Sequence, residues 1–303
     1  MTVTSVLGPA VLLALAPGVT GLANRTKSAL TGRRGAPLLQ PYADLAKLWG
    51  KGVVYSRTTT VLFRLAPVAV LAATVLASLL VPFDGELALV RFAGDLIAFA
   101  GLLALARFLL VLAALDTGSS FEGMGASREV TIAAFAEPAL LLCFTLLAIA
   151  TGTLRLQEML GVPLAHAWGA ASPSLVLAAA ALFMLSLAEN CRVPVDDPLT
   201  HLELTMIHEV MVLDHTGPDL ALLQYAGSLK TALLGAVIVR VFAAGFPLPP
   251  AWALAVLVAG LAVYAAGIGV VESSVARLRM QRIPQLVVAA GAVAGFGLIL
   301  LLR

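Results

Sequence analysis

Charged residues are scarce in this sequence. Only 12% of its 303 residues are Asp, Glu, Lys or Arg, whereas 60% are hydrophobic. A soluble domain carries about a quarter charged residues, so the composition argues against a water-soluble fold. The net charge of +2 gives no indication of a nucleic-acid-binding surface. The sequence therefore predicts a protein whose solvent is largely the lipid bilayer.

Cysteine is almost as scarce. The two cysteines, Cys143 and Cys191, are too few for a disulfide scaffold or for a four-thiolate zinc or iron–sulfur site. His201, His208 and His215 recur every seven residues, which is about 10.5 Å along a helix and too far for two neighbours to share one metal. The spacing of an HExxH zinc motif is also missing. We therefore expect no metal and no redox cofactor on this chain.

Long apolar runs are abundant. Eight segments are long enough to cross a hydrocarbon core of about 30 Å. They span roughly 3–23, 61–82, 92–115, 131–153, 173–190, 219–243, 251–271 and 284–303. These runs predict an all-α integral membrane protein of about eight transmembrane helices, forming a single membrane domain over residues 1–303. The first basic residue is Arg25, so no positive region precedes the first run, and we expect a retained helix rather than a cleaved signal.

The basic residues are unevenly distributed over the connections between these segments. Twelve lie on the odd-numbered connections and three on the other side of the membrane. The first set is Arg25, Lys27, Arg33, Arg34, Lys47, Lys51, Arg57, Arg128, Arg192, Arg277, Arg279 and Arg282, and the second is Arg91, Arg155 and Arg303. The positive-inside rule makes the odd connections cytoplasmic. We expect a multi-pass protein of the bacterial cytoplasmic membrane with both termini outside.

The first cytoplasmic connection, residues 24–60, contains a pattern typical of an amphipathic helix. Leu38, Tyr42, Leu45 and Trp49 fall on one helical face at spacings of four, three and four. Pro41 suits a first helical turn. The pattern predicts a helix that lies along the membrane interface, although an ordinary surface helix would show the same stripe.

Several ionisable residues fall inside or at the ends of the apolar runs, where each costs roughly 2.5–3.5 kcal/mol near the bilayer centre. Arg107 precedes Asp116 by nine residues, and Glu137 follows Arg128 by nine. Both therefore lie on the order of 13 Å from the cytoplasmic ends and can pair at similar depth. The candidates for a buried proton route are Glu137, Arg107, Lys230, Glu189, Glu203 and Glu272. The alternative is that these charges only fix helix packing.

The longest polar stretch, residues 188–217, joins the fifth and sixth apolar segments. Long structured loops of this kind are usually functional, so we expect a docking and coupling loop that uses Arg192, Asp196, Asp197, His201, His208, Glu209 and Asp214. The first connection would complete this seat with Arg33, Arg34, Gln40, Asp44 and Lys47. An unpaired buried guanidinium is expensive, and we predict that Asp196 or Glu203 holds Arg192.

These motifs support a resemblance to a known family. The segment 188–196, AENCRVPVD, resembles the AE-x-N-R-x-P-x-D loop of the complex I subunit 1 family, with Asn190 shifted by one position. Residues 33–48 look like the first cytoplasmic loop of that family. Gly125-Ala126, Arg128 and Glu137 keep the spacing of its G-A-x-R…E segment. The resemblance extends over nearly the whole chain.

Within that family, the runs at 195–222 and 271–280 look most like the hydrogenase branch, the membrane-anchor subunits of formate hydrogenlyase, hydrogenase-4 and related group 4 [NiFe] hydrogenases. Leu199, His201 and Gln224 stand where the quinone-reducing branch usually carries acids. The resemblance implies a non-catalytic subunit of an oxidoreductase complex. Its partners would be a hydrogenase large subunit, a small iron–sulfur subunit, a ferredoxin-like subunit and antiporter-like membrane subunits, with the NiFe centre and the iron–sulfur clusters on those partners.

Three alternatives remain open at this point. The first is the quinone-site membrane subunit of an NADH:quinone oxidoreductase. The second is a stand-alone secondary transporter, which the lack of an internal repeat argues against. The third is a membrane prenyltransferase with Asp196 and Asp197 on a metal–diphosphate, for which a second acidic cluster is not evident.

Overall fold

The computed structural model describes residues 3–83, 88–197, 205–246 and 252–303, in which it contains α-helices, one 3₁₀ turn and no strand. The helices are α1 Val3–Leu30, α2 Gln40–Trp49, α3 Val61–Leu79, α4 Asp95–Asp116, α5 Ser120–Thr151, α6 Leu156–Met159, α7 Val162–Glu189, α8 His208–Met211, α9 Gly217–Ala243, α10 Ala253–Ser274 and α11 Ile283–Leu301. Eight of them are long and apolar enough to cross a membrane, namely α1, α3, α4, α5, α7, α9, α10 and α11. The predicted all-α membrane fold is confirmed.

Helix α9 is central to the bundle. It contacts α1, α2, α3, α7 and α10, while α11 packs against α5 and α7 on one side and α3 packs against α4 on another. Most apolar side chains on its inner faces are fully buried, among them Leu229 and Leu233. Lys230 is therefore carried into the bundle interior by the apolar residues around it.

Two helix starts differ from the prediction. Helix α5 begins at Ser120, eleven residues before the predicted start, and α7 begins at Val162, with a distortion at Ala171 just before Pro173. Hydropathy marks only the apolar part of a helix. The first turns of α5 are polar, so hydropathy does not detect them. Their side chains Glu122 and Glu129 are nevertheless buried against protein, and these protein contacts can stabilise the helix there instead of lipid.

Helix α2 lies within the connection where the sequence pattern predicts it. Tyr42 fixes it to α1: the Tyr42 hydroxyl donates to the Ala14 carbonyl over 2.6 Å and accepts from the Gly18 amide over 3.2 Å. The hydroxyl thus stands between a carbonyl and an amide that an undistorted helix would join directly. None of the α2 side chains is fully buried. Its position at a membrane interface stays a prediction.

A proline explains why α1 is distorted at this point. Pro17 has no amide hydrogen, so the carbonyl of Leu13 lacks its helical donor. The hydroxyl of Tyr225 in α9 donates to that carbonyl over 2.8 Å. Two tyrosines therefore replace helical hydrogen bonds at one bend, and they hold α1, α2 and α9 together around the cavity described next.

Candidate coupling site

Five charged side chains from four helices meet in the interior, and we refer to Arg107, Glu129, Glu137, Glu189 and Lys230 as the Arg107 cluster. Nη1 of Arg107 lies 2.7 Å from Glu137 Oε1, which confirms the pairing predicted from their depths. A second nitrogen, Nη2, binds Glu189 Oε2. The remaining nitrogen, Nε, lies 3.1 Å from Glu129 Oε1 without the alignment of a hydrogen bond. One guanidinium thus contacts three carboxylates.

Lys230 completes the cluster from α9. Its Nζ lies 2.8 Å from Glu189 Oε2 and donates to the Glu189 carbonyl over 2.7 Å. Arg107, Glu129 and Glu189 are buried, whereas 46% of the Glu137 side chain is exposed on the lateral surface of the bundle. With every group ionised, three carboxylates face two cations, so the cluster has room for one additional proton before its charge is balanced.

A cavity of about 280 Å³ joins this cluster to the polar loop. Its wall includes four members of the cluster: Arg107, Glu129, Glu189 and Lys230. It also includes loop residues that the sequence assigns to the docking surface, namely Arg192, Asp196, His208 and Glu209, together with Asp44 from α2 and Gln224 from α9. Residues of the predicted proton route and of the predicted docking loop therefore line one cavity, together with apolar residues such as Val70 and Leu110.

Among the described residues, Arg192 pairs with an acid other than Asp196. Its Nη1 lies 3.3 Å from Glu272 Oε1 in α10 and 3.3 Å from the Asn24 side-chain oxygen in α1, so the prediction of Asp196 is wrong. Glu203, the other predicted acid, and His201 lie outside the described residues. Asp196 instead accepts from the Ile207 amide over 2.8 Å and pairs with Arg277 over 2.8 Å. Asp196 therefore closes its own loop rather than holding the arginine.

Residues from the other three odd-numbered connections of the sequence prediction contact the described part of the polar loop. Lys27 reaches both Asp197 and Glu272 over 3.5 Å. Arg128 donates to the Met206 carbonyl over 2.8 Å, and the Leu278 amide donates to the Pro194 carbonyl over 2.8 Å. Lys27 in α1, Arg128 in α5 and Leu278 after α10 thus anchor the polar loop at different points.

Other predicted residues lie around this surface. Gln40 and Asp44 hydrogen-bond each other over 2.7 Å on α2, and of the predicted loop-one seat residues only Asp44 lines the cavity. Arg33 and Arg34 are exposed before α2. Asp214 is exposed, and its backbone amide donates to Glu122 over 3.1 Å. In the described residues we find no group of three His, Cys, Asp or Glu side chains that could hold a metal.

Two groups near the cavity have shifted acidities. Burial raises the pKa of the Cys191 thiol well above its usual value, and the Glu129 carboxylate, to which the thiol donates over 3.4 Å, adds to that shift. Burial lowers the pKa of His215 to about 4, against the opposite pull of Asp219. The His215 ring stacks on Phe63 with centroids 3.9 Å apart. Near neutral pH the thiol therefore stays protonated and the imidazole stays neutral.

Sequence reasoning missed Glu129, Asn24 and Glu122. A usable signal existed for Glu129, because it precedes Glu137 by eight residues and so lies close to the same helical face. The predicted helix began at residue 131, so Glu129 lay outside it. Asn24 and Glu122 leave no such signal, since their partners are distant in the chain.

The family of this chain follows from comparison with known proteins. The NADH dehydrogenase family matches residues 3–302. The chain belongs to the NADH dehydrogenase subunit 1 family. Formate hydrogenlyase subunit 4 of Escherichia coli (strain K12) is 30% identical over 298 residues, which cover 95% of this chain and 92% of that protein. Hydrogenase-4 component C of the same organism is 30% identical over 233 residues, 77% of this chain and 72% of that protein.

A solved structure has the same fold as this NADH dehydrogenase subunit 1 family member. It is a chain of the membrane-bound sulfane sulfur reductase, an archaeal respiratory membrane complex, with a TM-score of 0.80 and 21% identity over 98% of both chains. The relatives are subunits of multi-subunit membrane complexes. The recognition of the complex I subunit 1 family and of its hydrogenase branch is therefore confirmed.

Proposed function

We propose that this chain is the membrane-anchor and coupling subunit of a respiratory hydrogenase or formate hydrogenlyase-type complex. The observation that carries the proposal is the shared cavity, in which the polar loop and the Arg107 cluster face the same space. Electron transfer in a redox arm seated on the loop would change the local charge. A carboxylate cluster within that field can respond by gaining or losing a proton.

The seat would be the surface made by the four odd connections. A large NiFe-type subunit, a small iron–sulfur subunit and a ferredoxin-like subunit would dock there and carry the metal centres. We place this face on the cytoplasmic side because of the twelve basic residues on those connections. An impermeant thiol reagent tests the orientation: Gly52→Cys should be labelled in inverted vesicles and protected in intact cells, and labelling in intact cells would reverse it.

The cluster would link the seat to a membrane arm. Glu137 is its most exposed member, and Pro138 directly after it removes one helical amide donor. An antiporter-like subunit packed on this lateral face would cover the carboxylate and continue a proton route away from it. The Arg107 contact favours the charged form of Glu137, whereas covering the carboxylate favours the neutral form.

A quinone-reducing subunit is the second candidate, and one observation bears on it. Gln224, a neutral residue, lines the cavity where the quinone-reducing branch usually carries an acid. The relative that covers nearly the whole chain is a formate hydrogenlyase subunit, which favours the hydrogenase assignment.

Co-purification tests the proposal. A tagged chain should bring down iron–sulfur subunits and nickel in stoichiometric amount, and the complex should evolve hydrogen from a reduced donor. A complex without nickel that reduces quinone would support the second candidate instead. A chain that purifies alone and transports a solute in liposomes would contradict both.

A further inference from the structure

A second cavity lies at the end of the bundle opposite the polar loop, where α4 begins and the connection after α5 passes beside it. Its volume is about 330 Å³. On this measure one water needs about 10–15 Å³, so the space is large enough for a polar ligand group as well as water. The described residues that line it come from two short segments, 91–95 and 155–158.

Four side chains give this cavity opposite charges close together. Arg91 and Arg155 supply two guanidinium groups, and Asp95 and Glu158 supply two carboxylates. Arg155 Nη1 lies 3.1 Å from Glu158 Oε1. Hydrogen bonds from Thr153 and from Arg155 lower the pKa of Glu158, so this carboxylate is ionised at neutral pH. Two basic and two acidic side chains among the described lining residues give neither sign of charge a clear excess.

Asp95 contributes a buried carboxyl group to this cavity. Its side chain is 1% exposed, and its Oδ1 accepts from the Leu156 amide over 2.6 Å. The other oxygen, Oδ2, is buried and has no hydrogen-bond partner among the residues that the structure describes. Buried carboxylate oxygens in folded proteins are nearly always bonded. A ligand that fits this cavity must therefore bring an N–H or O–H donor to Asp95.

Four exposed apolar residues, here called the apolar rim, lie in or next to the two segments that line the cavity, and Phe92 is itself a lining residue. Val90, Phe92, Ile97 and Leu154 are 40%, 48%, 70% and 61% exposed. They lie at the ends of helices that are long and apolar enough to span a membrane, at the level where acyl chains meet their headgroups. A ligand at this site can therefore have hydrocarbon chains beside its polar part.

We propose that this cavity binds the headgroup of phosphatidylethanolamine. The ammonium donates to Asp95 Oδ2, the phosphate lies between Arg91 and Arg155, and the acyl chains run along the apolar rim. The ligand carries one positive and one negative group, which matches a lining with both acidic and basic side chains. Phosphatidylcholine lacks an N–H group and leaves Asp95 unbonded, while phosphatidylglycerol brings an anion without the compensating ammonium.

Native mass spectrometry of the intact complex tests this directly. The complex would be reconstituted in nanodiscs of equal phosphatidylethanolamine, phosphatidylcholine and phosphatidylglycerol, released, and analysed for retained lipid. We expect one additional phosphatidylethanolamine per chain, held at least about tenfold over phosphatidylcholine, because a site built to accept a ligand N–H rejects the analogue that lacks one. Glycerophosphoethanolamine, which has the headgroup without acyl chains, should not displace the lipid.

Three variants separate the contributions. Asp95→Asn keeps an acceptor for the Leu156 amide but replaces the second acceptor by a donor, so it should lose the preference for ethanolamine over choline. Arg91→Gln combined with Arg155→Gln should lose both zwitterionic lipids. Arg303→Gln removes an exposed arginine at the same end of the bundle, outside the cavity, and should change nothing.

Two results would overturn the proposal. One is equal retention of phosphatidylcholine and phosphatidylethanolamine by the wild-type complex. The other is an unchanged ethanolamine preference in both the Asp95→Asn and the double arginine variant. If Asp95→Asn fails to assemble, the double variant decides, because Arg91 and Arg155 are exposed and their loss leaves the core intact. Preferential retention of phosphatidylglycerol would also contradict the proposal.

Discussion

Arg192 and Glu272 lie 80 residues apart in the chain, yet their side chains form a buried ion pair of 3.3 Å. The contact fixes the polar loop after α7 to the end of α10. Lys27 approaches the same carboxylate from α1 over 3.5 Å. Three segments distant in the sequence are thus held together directly above the cavity, where a docked redox arm would lie.

We expect Arg192→Ala to release the hydrophilic arm while the membrane part still inserts. Removing one partner of a buried pair leaves the other charge uncompensated, at a cost of about 3–5 kcal/mol. Lys27 can compensate Glu272 in part, so the loop should loosen rather than the bundle unfold. The measurement is the amount of peripheral subunit that co-purifies with the tagged chain.

Arg303→Ala is the matched control, since this arginine is exposed at the other end of the bundle. It should retain the full complex. An intact and fully active complex from Arg192→Ala would remove the polar loop from the docking surface.

Glu137→Gln should assemble but lose proton translocation. Arg107 keeps Glu129 and Glu189 when Glu137 is neutralised, so the guanidinium is not left unpaired. The amide retains the shape of the side chain and an acceptor for Nη1. Proton uptake into sealed vesicles, driven by turnover of the complex, is the measurement. Acidification at the wild-type rate would show that Glu137 is structural.

Glu189→Gln supplies the contrast within the same cluster. Its carboxylate is buried and contacts both Arg107 and Lys230, so the neutral amide removes the one acid that the two cations share and leaves Lys230 without an ion pair among the described residues. We expect a loss of assembled complex, measured as its yield after purification, whereas Glu137→Gln keeps it. Equal yields of the two variants would contradict this division.

Gly217→Ala should lower the melting temperature of the complex. Gly217 has a φ of 56°, and a β-carbon there would lie 2.7 Å from the Gly52 carbonyl oxygen. Left-handed backbone and this close approach together cost on the order of 1–3 kcal/mol. The first connection and the start of α9 would have to separate. Gly123→Ala, which meets open space in α5, should leave the melting temperature unchanged or slightly higher.

The stability of this region should decrease as the pH falls from about 6.5 to about 4. Burial lowers the folded-state pKa of His215 to about 4, whereas an unfolded histidine titrates near 6.5. Between these two pKa values the unfolded state binds more protons than the folded state. Lowering the pH therefore stabilises the unfolded state relative to the folded state. The loss should not exceed about 3.4 kcal/mol, which is 2.5 pKa units at 1.36 kcal/mol per unit.

His215→Phe tests the assignment, because a phenyl ring can keep the stack on Phe63 without a titrating group. The melting temperature of the wild-type complex should fall more steeply than that of the variant over this interval. Tyr55 packs edge-on against Phe63, Arg64 lies over the Tyr55 ring, and the Tyr55 hydroxyl donates to Asp219. These charged and polar neighbours are present in both proteins. Identical pH profiles would assign the effect to another residue.

Much of this architecture follows from local sequence. The eight spanning helices require only apolar runs of sufficient length, because lipid forces each backbone to satisfy its hydrogen bonds internally. The Arg107–Glu137 pair also follows from the sequence, since rise per residue and loop position set the depth of each side chain. A start of α5 at Ser120 puts Glu129 near the same helical face as Glu137 but about 12 Å away along the axis, and the Arg107 side chain joins the two.

What the sequence could not determine is which distant groups meet. Nothing near Arg192 in the chain indicates Glu272 rather than Asp196, because the choice depends on how α7 and α10 pack and on where the loop between them turns. The joining of the docking loop and the Arg107 cluster in one cavity, and the removal of His215 from water, have the same origin. The depth of a residue along a helix can be counted from the sequence. The direction in which each helix face points, and the helix that it contacts, are decided only when the bundle packs.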